Sequence, residues 1–173
     1  MFCKNLNESN VNRLKVKTNL YHAIEEDEHF INFVKKTLEE TNFPPSLLNL
    51  EITENILMTN IQTARQMINR LKELGIQISI DDFGTGYSSL SYLRQFQIDH
   101  LKIDKGFVSE KALDKVIVKS VIDLGHNLNL KVDAEGVEDE KQLTYLQSIG
   151  CDVMQGYYFS RPLSEKEFTN LIV

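Results

Sequence analysis

The stretch IQISIDDFGTGYSSL, residues 76–90, indicates the fold of this chain. Its first five residues, Ile76-Gln77-Ile78-Ser79-Ile80, form a strand-like run. The run ends on two adjacent carboxylates, Asp81 and Asp82, and the turn Gly84-Thr85-Gly86 follows directly. A pair of aspartates at this position commonly caps a helix or a turn. The alternative is that a cation holds them, and the rest of the sequence must decide between the two explanations.

Short apolar runs alternate with helical patterns along the chain. The candidate strands are residues 14–20, 48–54, 76–83, 100–104, 130–137 and 153–160. Residues 59–74 and 111–128 carry apolar residues at helical spacing, and Gly75 is suited to end the first of these helices. Ser164 and Glu167 predict a capping box at the start of a last helix. Strands that alternate with helices predict βα units and a mostly parallel sheet.

Polar residues occur at or near the ends of most of these strands. They are Asn19, Glu51, Glu54, Asp81, Asp82, Asp104, Glu135 and Gln155. An open doubly wound sheet concentrates its site at one switch point, whereas a (β/α)₈ barrel builds its site from the ends of many strands. The distribution therefore favours a barrel. Such a barrel usually needs about 250 residues, so 173 residues predict an incomplete TIM-like barrel with about six of eight βα units.

Composition limits the partners that we expect. The net charge of −6 gives the chain no general attraction for nucleic acid polymers or anionic lipids. Cys3 and Cys151 form no CxxC pattern, which favours a reduced, cytoplasmic protein. No apolar run reaches the length of a membrane span, so we expect no membrane segment in this chain.

Several carboxylates on one rim would repel one another and take up protons unless cations neutralise them. Mg²⁺ and Mn²⁺ prefer carboxylate, amide and water oxygens, and adjacent Asp81 and Asp82 could serve two such ions. Two metal ions close together suit the hydrolysis of a phosphodiester. Lys102 would add a positive charge near the attacking water or the phosphate. Each residue also has an ordinary structural explanation: Lys102 as an ion-paired strand residue, Glu51 and Glu54 as surface charges.

The sequence resembles the EAL family of bacterial cyclic-di-GMP phosphodiesterases. The matching segments, in family order, are KTNL, LEITENILM, LKELGIQISIDDFGTGYSSLSYLRQFQIDHLKIDKGFV, LKVDAEGVEDEKQL and GCDVMQGYYFSRPL. They cover nearly the whole chain, and the DDFGTGYSSL and AEGVE blocks are highly specific. The resemblance implies a modified TIM barrel that hydrolyses cyclic-di-GMP to the linear dinucleotide with two metal ions, Mg²⁺ or Mn²⁺.

The resemblance also implies a role for each site residue. Asn19, Glu51 and Asp81 correspond to ligands of the first metal. Asp82 and Glu135 correspond to ligands near the second, with Asp81 as the bridge and Asp104 as a further acid of the cluster. Lys102 corresponds to the lysine that positions the water, and Glu135 to the general base. Gln155 corresponds to a glutamine that helps to set the water and the substrate, and Glu54 to a glutamate that steadies the loop at residues 83–88.

The chain departs from the family pattern in ways that bear on activity. The Glu-Ala-Leu tripeptide is absent, and we expect residues 1–173 to be an EAL domain without its first two βα units, residues 1–10 being the remnant of a helix. Asp133 stands where the family usually has an apolar residue. An open barrel leaves sheet edges that invite another chain, which predicts a homodimer or a domain-swapped oligomer. The alternative function is a degenerate, non-catalytic EAL module that binds cyclic-di-GMP or a protein partner.

Overall fold

The structure is a computed structural model that describes residues 2–3, 15–19, 27–84, 93–108 and 111–172. Its strands are β1 (Phe2–Cys3), β2 (Lys15–Asn19), β3 (Leu48–Thr53), β4 (Gln77–Phe83), β5 (His100–Ile103), β6 (Lys131–Ala134) and β7 (Val153–Met154). Its α-helices are α1 (Asp27–Thr41), α2 (Glu54–Thr59), α3 (Ile61–Glu73), α4 (Ala112–Asn127), α5 (Glu140–Ser148) and α6 (Glu165–Ile172). Short 3₁₀ turns occur at Pro45–Leu47 and Lys105–Phe107.

The strands form one sheet in the order β1-β2-β3-β4-β5-β6-β7. Strands β2 to β7 are parallel, as the alternation of strands and helices predicts, and β1 pairs antiparallel with β2. The expectation of a helix remnant at the start of the chain is wrong at Phe2 and Cys3, which form β1. Residues 4–10 lie outside the part of the chain that the structure describes.

The sheet curls into an incomplete barrel. Lys17 on β2 is hydrogen-bonded to Asp133 on β6, although in a flat sheet four strand spacings would separate the two strands by about 19 Å. Among the described residues, β1 and β7 do not pair with each other, so the barrel stays open between them. The predicted fold class, an incomplete TIM-like α/β barrel with six parallel strands, is therefore confirmed.

The apolar core lies between the outer face of the sheet and the helices. In α3 the buried side chains recur at helical spacing, at Ala64, Met67, Ile68 and Leu71. Strand residues alternate between the two faces of the sheet, so the apolar residues of β4 belong to this core while Ser79 and Asp81 lie on the inner face. The same alternation on the neighbouring strands directs a set of polar side chains into the barrel interior.

The helix predicted at residues 59–74 agrees with α3 within two residues. Asn60 precedes it, and its side chain begins α3 by accepting a hydrogen bond from the Thr63 amide at 3.2 Å. One predicted strand, by contrast, is too long. The strand predicted at residues 153–160 ends at Met154. Beyond it the chain turns back, because the Tyr158 amide bonds to the Val137 carbonyl oxygen at 2.9 Å.

Other predicted ends agree within one to three residues. Gly75, with φ +85°, follows α3 as predicted, and the amide of the next residue, Ile76, bonds to the Leu71 carbonyl oxygen at 3.3 Å in a Schellman motif. The strand predicted at 130–137 ends at Ala134. Ser164 and Glu167 form the predicted capping box, the Glu167 carboxylate accepting from the Ser164 amide at 2.9 Å. Among the described residues, no helix has the length and apolar character needed to cross a membrane.

Candidate metal centre and active site

Two layers of polar side chains face the interior of the barrel. The site layer, at the carboxyl ends of the strands, consists of Asn19, Glu51, Asp81, Lys102 and Glu135. The inner layer, two residues earlier on each strand, consists of Lys17, Asn49, Ser79, His100 and Asp133. Because side chains two residues apart on a strand share a face, each inner residue lies beneath a site residue. Glu135 continues β6, since its amide bonds to the Ile103 carbonyl oxygen at 3.2 Å.

Lys102 is the centre of the site layer. Its side chain is 2 % exposed, and its Nζ lies 2.8 Å from Glu51 Oε2, 2.9 Å from Asp81 Oδ1 and 2.6 Å from Glu135 Oε1. Burial alone would lower the pKa of Lys102, but the carboxylates of Glu51 and Glu135 outweigh burial and raise the pKa above its ordinary value. The ammonium is therefore charged and is held by three acids from three different strands.

These three acids form a plausible cation site by geometry and by chemistry. One carboxylate oxygen each of Glu51, Asp81 and Glu135 lies within 4.8 Å of the others. Glu51 Oε1 is buried without a hydrogen-bond partner among the described residues. Burial raises the pKa of Glu135 above its ordinary value, although Lys102 opposes this shift. An all-oxygen donor set with an unsatisfied buried oxygen fits a hard divalent cation such as Mg²⁺ or Mn²⁺.

A β-bulge explains how two consecutive aspartates can approach one site. The register between β4 and β5 shifts between Ile80 and Phe83, and Asp82 adopts φ +55°. The Asp82 amide donates to Asp81 Oδ1 at 3.1 Å. Burial raises the pKa of Asp82, and so do the negative charges of Asp81 and Asp104. Asp81 and Asp104 are therefore both close enough to Asp82 to interact electrostatically with it.

The remaining predicted metal ligands lie beside the three-carboxylate group. Asp104 Oδ1 accepts a hydrogen bond from the Gly106 amide at 2.8 Å and so begins the turn Lys105–Phe107. Asn19 is paired in register with Glu51 and has an exposed side chain. The three-carboxylate group that the structure brings together among the described residues does not include Asp82 or Asp104. Their roles as metal ligands stay predictions.

Gln155 and Glu54 occupy different parts of the site. Gln155 Nε2 donates to Glu135 Oε1 at 2.7 Å, so this amide fixes the orientation of the predicted general base. Glu54 is buried and begins α2 directly after β3. The loop that Glu54 is predicted to steady includes residues 85–88, which lie outside the described residues, and this role stays a prediction.

Sequence reasoning missed a buried charged network in the inner layer. Lys17 and His100 both contact the Asp133 carboxylate, His100 Nδ1 at 2.7 Å. All three side chains are at most 5 % exposed. Burial alone would raise the pKa of Asp133, but the hydrogen bond from His100 and the charge of Lys17 outweigh it and lower the pKa. Two signals were present in the sequence: each residue lies two places before a site residue, and Asp133 stands where the family usually has an apolar residue.

The fold and the site define a general class, a parallel α/β barrel with oxygen ligands at the carboxyl ends of its strands. A family model described as the EAL domain matches residues 2–162. The chain therefore belongs to the EAL domain family.

Relatives and solved structures agree with this assignment. The cyclic di-GMP phosphodiesterase NbdA of Pseudomonas aeruginosa is 42% identical over 154 residues, covering 87% of this chain and 20% of NbdA. A structure of the MucR phosphodiesterase of the same organism with c-di-GMP has a TM-score of 0.84 and 37% identity, covering 89% of this chain and 64% of that one. A structure of BlrP1 of Klebsiella pneumoniae with manganese and cy-diGMP has a TM-score of 0.80 and 32% identity, and the match covers 87% of this chain and 40% of the BlrP1 chain. The chain spans about a fifth of the length of the curated relatives it matches.

Proposed function

We propose that this chain is an EAL-type phosphodiesterase domain that hydrolyses cyclic-di-GMP to the linear dinucleotide with divalent metal ions. The observation that supports it most is the convergence of Glu51, Asp81 and Glu135 on the buried Lys102 ammonium. Relatives named as cyclic di-GMP phosphodiesterases, and related structures that contain the dinucleotide, support the substrate. A cytoplasmic location belongs to the same proposal, because cyclic-di-GMP hydrolysis would act on an intracellular signal.

The metal ions of the proposal are Mg²⁺ or Mn²⁺. Glu51, Asp81 and Glu135 would hold one ion, and the neighbouring acids and amide would complete the two-metal site. Those neighbours are Asn19, Asp82 and Asp104. Divalent cations bound here would neutralise the phosphodiester and lower the pKa of a bound water.

The protein's own residues supply positioning and proton transfer. Attack by water on phosphorus breaks one phosphorus–oxygen bond of the cyclic dinucleotide, releases one proton from the water and requires one proton on the departing sugar oxygen. Glu135 is the group that accepts the proton from the water, and the Gln155 amide keeps its carboxylate in position at 2.7 Å. The Lys102 ammonium orients the water or a phosphate oxygen by its charge and its hydrogen bonds.

Product formation tests the proposal directly. The purified chain is incubated with cyclic-di-GMP and either Mg²⁺ or Mn²⁺, and the linear dinucleotide is quantified by chromatography. Asp81→Asn is the matched control, since it keeps the size of the side chain and removes the charge. Product that requires metal and disappears in the control is the expected result, and no product from the folded wild-type chain would contradict the proposal.

A second candidate is a non-catalytic EAL module that binds cyclic-di-GMP or a protein partner. The observation that favours it is that the buried Lys102 ammonium already pairs with all three carboxylates of the candidate metal site. Isothermal titration calorimetry in Ca²⁺ measures binding of the dinucleotide, and together with the product assay it distinguishes the two candidates. Binding of the dinucleotide without hydrolysis in Mg²⁺ or Mn²⁺ would favour the module.

Association of the chain with a second copy is a further part of the proposal. Within the described residues the outer strands β1 and β7 have no strand beyond them, and such edges pair readily with another chain. Size-exclusion chromatography with light scattering should give the mass of a dimer. A mass of 20 kDa, which is that of a single chain, at every concentration would contradict the proposed association.

A further inference from the structure

The Lys17–Asp133–His100 network lies directly beneath the proposed metal site. The Lys17 ammonium is held by Asp133 Oδ2, and Asp133 Oδ1 lies 2.7 Å from His100 Nδ1. The same Lys17 Nζ lies 4.0 Å from Glu51 Oε1. One oxygen of Asp133 therefore holds the Lys17 ammonium beside a carboxylate of the site layer, while the other contacts His100.

Burial makes this arrangement costly to keep and sensitive to change. Removing one partner from a buried ion pair is strongly destabilising because the remaining charge is left uncompensated. Asp133 is 1 % exposed and Lys17 is 5 % exposed, so neither charge can be solvated in place. The Lys17 ammonium consequently has a fixed position in the barrel interior.

The two carboxylate oxygens of Glu51 have different contacts. Glu51 Oε2 accepts a hydrogen bond from Lys102 at 2.8 Å. Glu51 Oε1 has no hydrogen-bond partner among the described residues, and its 4.0 Å separation from Lys17 Nζ exceeds hydrogen-bond length. Lys17 attracts this oxygen without occupying its lone pairs, which leaves the oxygen oriented and available as a ligand.

We infer that Lys17, anchored by Asp133 and His100, is a positioning residue that orients the Glu51 carboxylate for divalent metal binding. This inference rests on the proposed function, since it assigns a role in the same metal site. We assign Lys17 no direct contact with the substrate, and its proposed effect reaches the reaction through Glu51. Groups that orient metal ligands in this way typically affect metal affinity by about 10–100-fold.

The double variant Lys17→Met/Asp133→Leu tests the inference. It removes one positive and one negative charge together, and well-packed apolar replacements of a buried ion pair often leave stability unchanged or raise it. Mn²⁺ affinity is measured from the electron paramagnetic resonance signal of the free ion, which does not depend on turnover, and folding is measured by thermal melting. The expected result is about tenfold weaker Mn²⁺ binding with cooperative melting retained.

A matched control comes from the same layer. Ser79 Oγ donates to Asn49 Oδ1 at 2.8 Å, and both residues are fully buried. Asn49→Leu/Ser79→Ala makes the same kind of polar-to-apolar change without altering a charge and should keep the wild-type Mn²⁺ affinity. An equal loss in this control would overturn the assignment to Lys17, because it would indicate general loosening of the layer.

A second variant weakens the Asp133 anchor by itself. Asp133→Asn keeps the shape of the side chain but weakens its hold on Lys17, so Mn²⁺ affinity should fall here as well. Wild-type affinity in a folded double variant, or in folded Asp133→Asn, would overturn the inference and leave the proposed function intact. A folded wild-type chain that binds no Mn²⁺ would overturn the proposed function itself.

Discussion

Substitution of Lys102 by methionine should destabilise the chain strongly. The side chain keeps a similar length but loses the ammonium that contacts Glu51, Asp81 and Glu135 at 2.6–2.9 Å. Removing one partner of a buried ion pair costs about 3–5 kcal/mol. For a domain of this size each kcal/mol shifts the melting temperature by about 2–4 °C. The melting temperature should therefore fall by about 6–20 °C.

Added Mn²⁺ should stabilise this variant more than the wild type. In the wild type the Lys102 ammonium already neutralises part of the charge on the carboxylates, whereas in Lys102→Met a cation is the main group that can do so. Thermal melting followed by circular dichroism at pH 7, in chelator and in saturating Mn²⁺, measures both effects. The rise in melting temperature on adding Mn²⁺ should be larger for Lys102→Met.

An exposed lysine supplies the control for Lys102→Met. Lys119 is paired with Asp123 one helical turn away, and its side chain is 48% exposed. Exposed pairs of this kind contribute about 0.3–0.5 kcal/mol, so Lys119→Met should shift the melting temperature by about 2 °C at most. If the melting temperature of Lys102→Met lies as close to the wild-type value as that of Lys119→Met does, the three acids do not need the Lys102 ammonium. That result would refute the stabilising role of Lys102.

Three further predictions concern the site and its supports. Gln155→Leu removes the 2.7 Å hydrogen bond to Glu135, and kcat for cyclic-di-GMP hydrolysis should fall at least tenfold. This bond is taken as part of the roughly 10²–10⁴-fold effect of a general base. An unchanged kcat would show that Gln155 does not position Glu135. Gly156→Ala would place a methyl group 2.1 Å from a backbone oxygen and should lower the free energy of unfolding, measured in urea, by about 3 kcal/mol. Gly75→Ala is the comparison: its nearest atom is 3.6 Å away, and it should lower that free energy by about 1 kcal/mol. Equal losses in the two variants would contradict the close packing at Gly156. Asp139→Ala removes the capping box of α5 and should cost about 1 kcal/mol in the same assay, and wild-type stability would show that the cap is not needed.

The sequence predicted the parallel strands because their apolar runs are short and separated by clear helical patterns. It also predicted that the polar residues at the strand ends would converge, because the carboxyl ends of parallel strands in a barrel share one rim. The structure brings Glu51, Asp81 and Glu135 of that set into contact with Lys102, and the roles of these residues stay predictions. The predicted strand at residues 153–160 failed because its apolar and aromatic residues fit a strand equally well, and only contact with the backbone of Val137 turns the chain.

The inner layer could not be found by sequence reasoning of this kind. Lys17, His100 and Asp133 are separated by at least 33 residues along the chain, and none follows a ligand spacing. Their contact arises from the curl of the sheet, which brings β2 against β6. His100 is one of the most buried polar residues among those that the structure describes.

The most direct test of the account is the position of Mn²⁺ in a crystal of this chain. Anomalous diffraction from crystals grown with Mn²⁺ and cyclic-di-GMP would locate the ion without assumptions about activity. The account predicts a peak bounded by the carboxylates of Glu51, Asp81 and Glu135, with Lys102 beside it. Crystals with saturating Mn²⁺ that show no anomalous peak at these three carboxylates would contradict it.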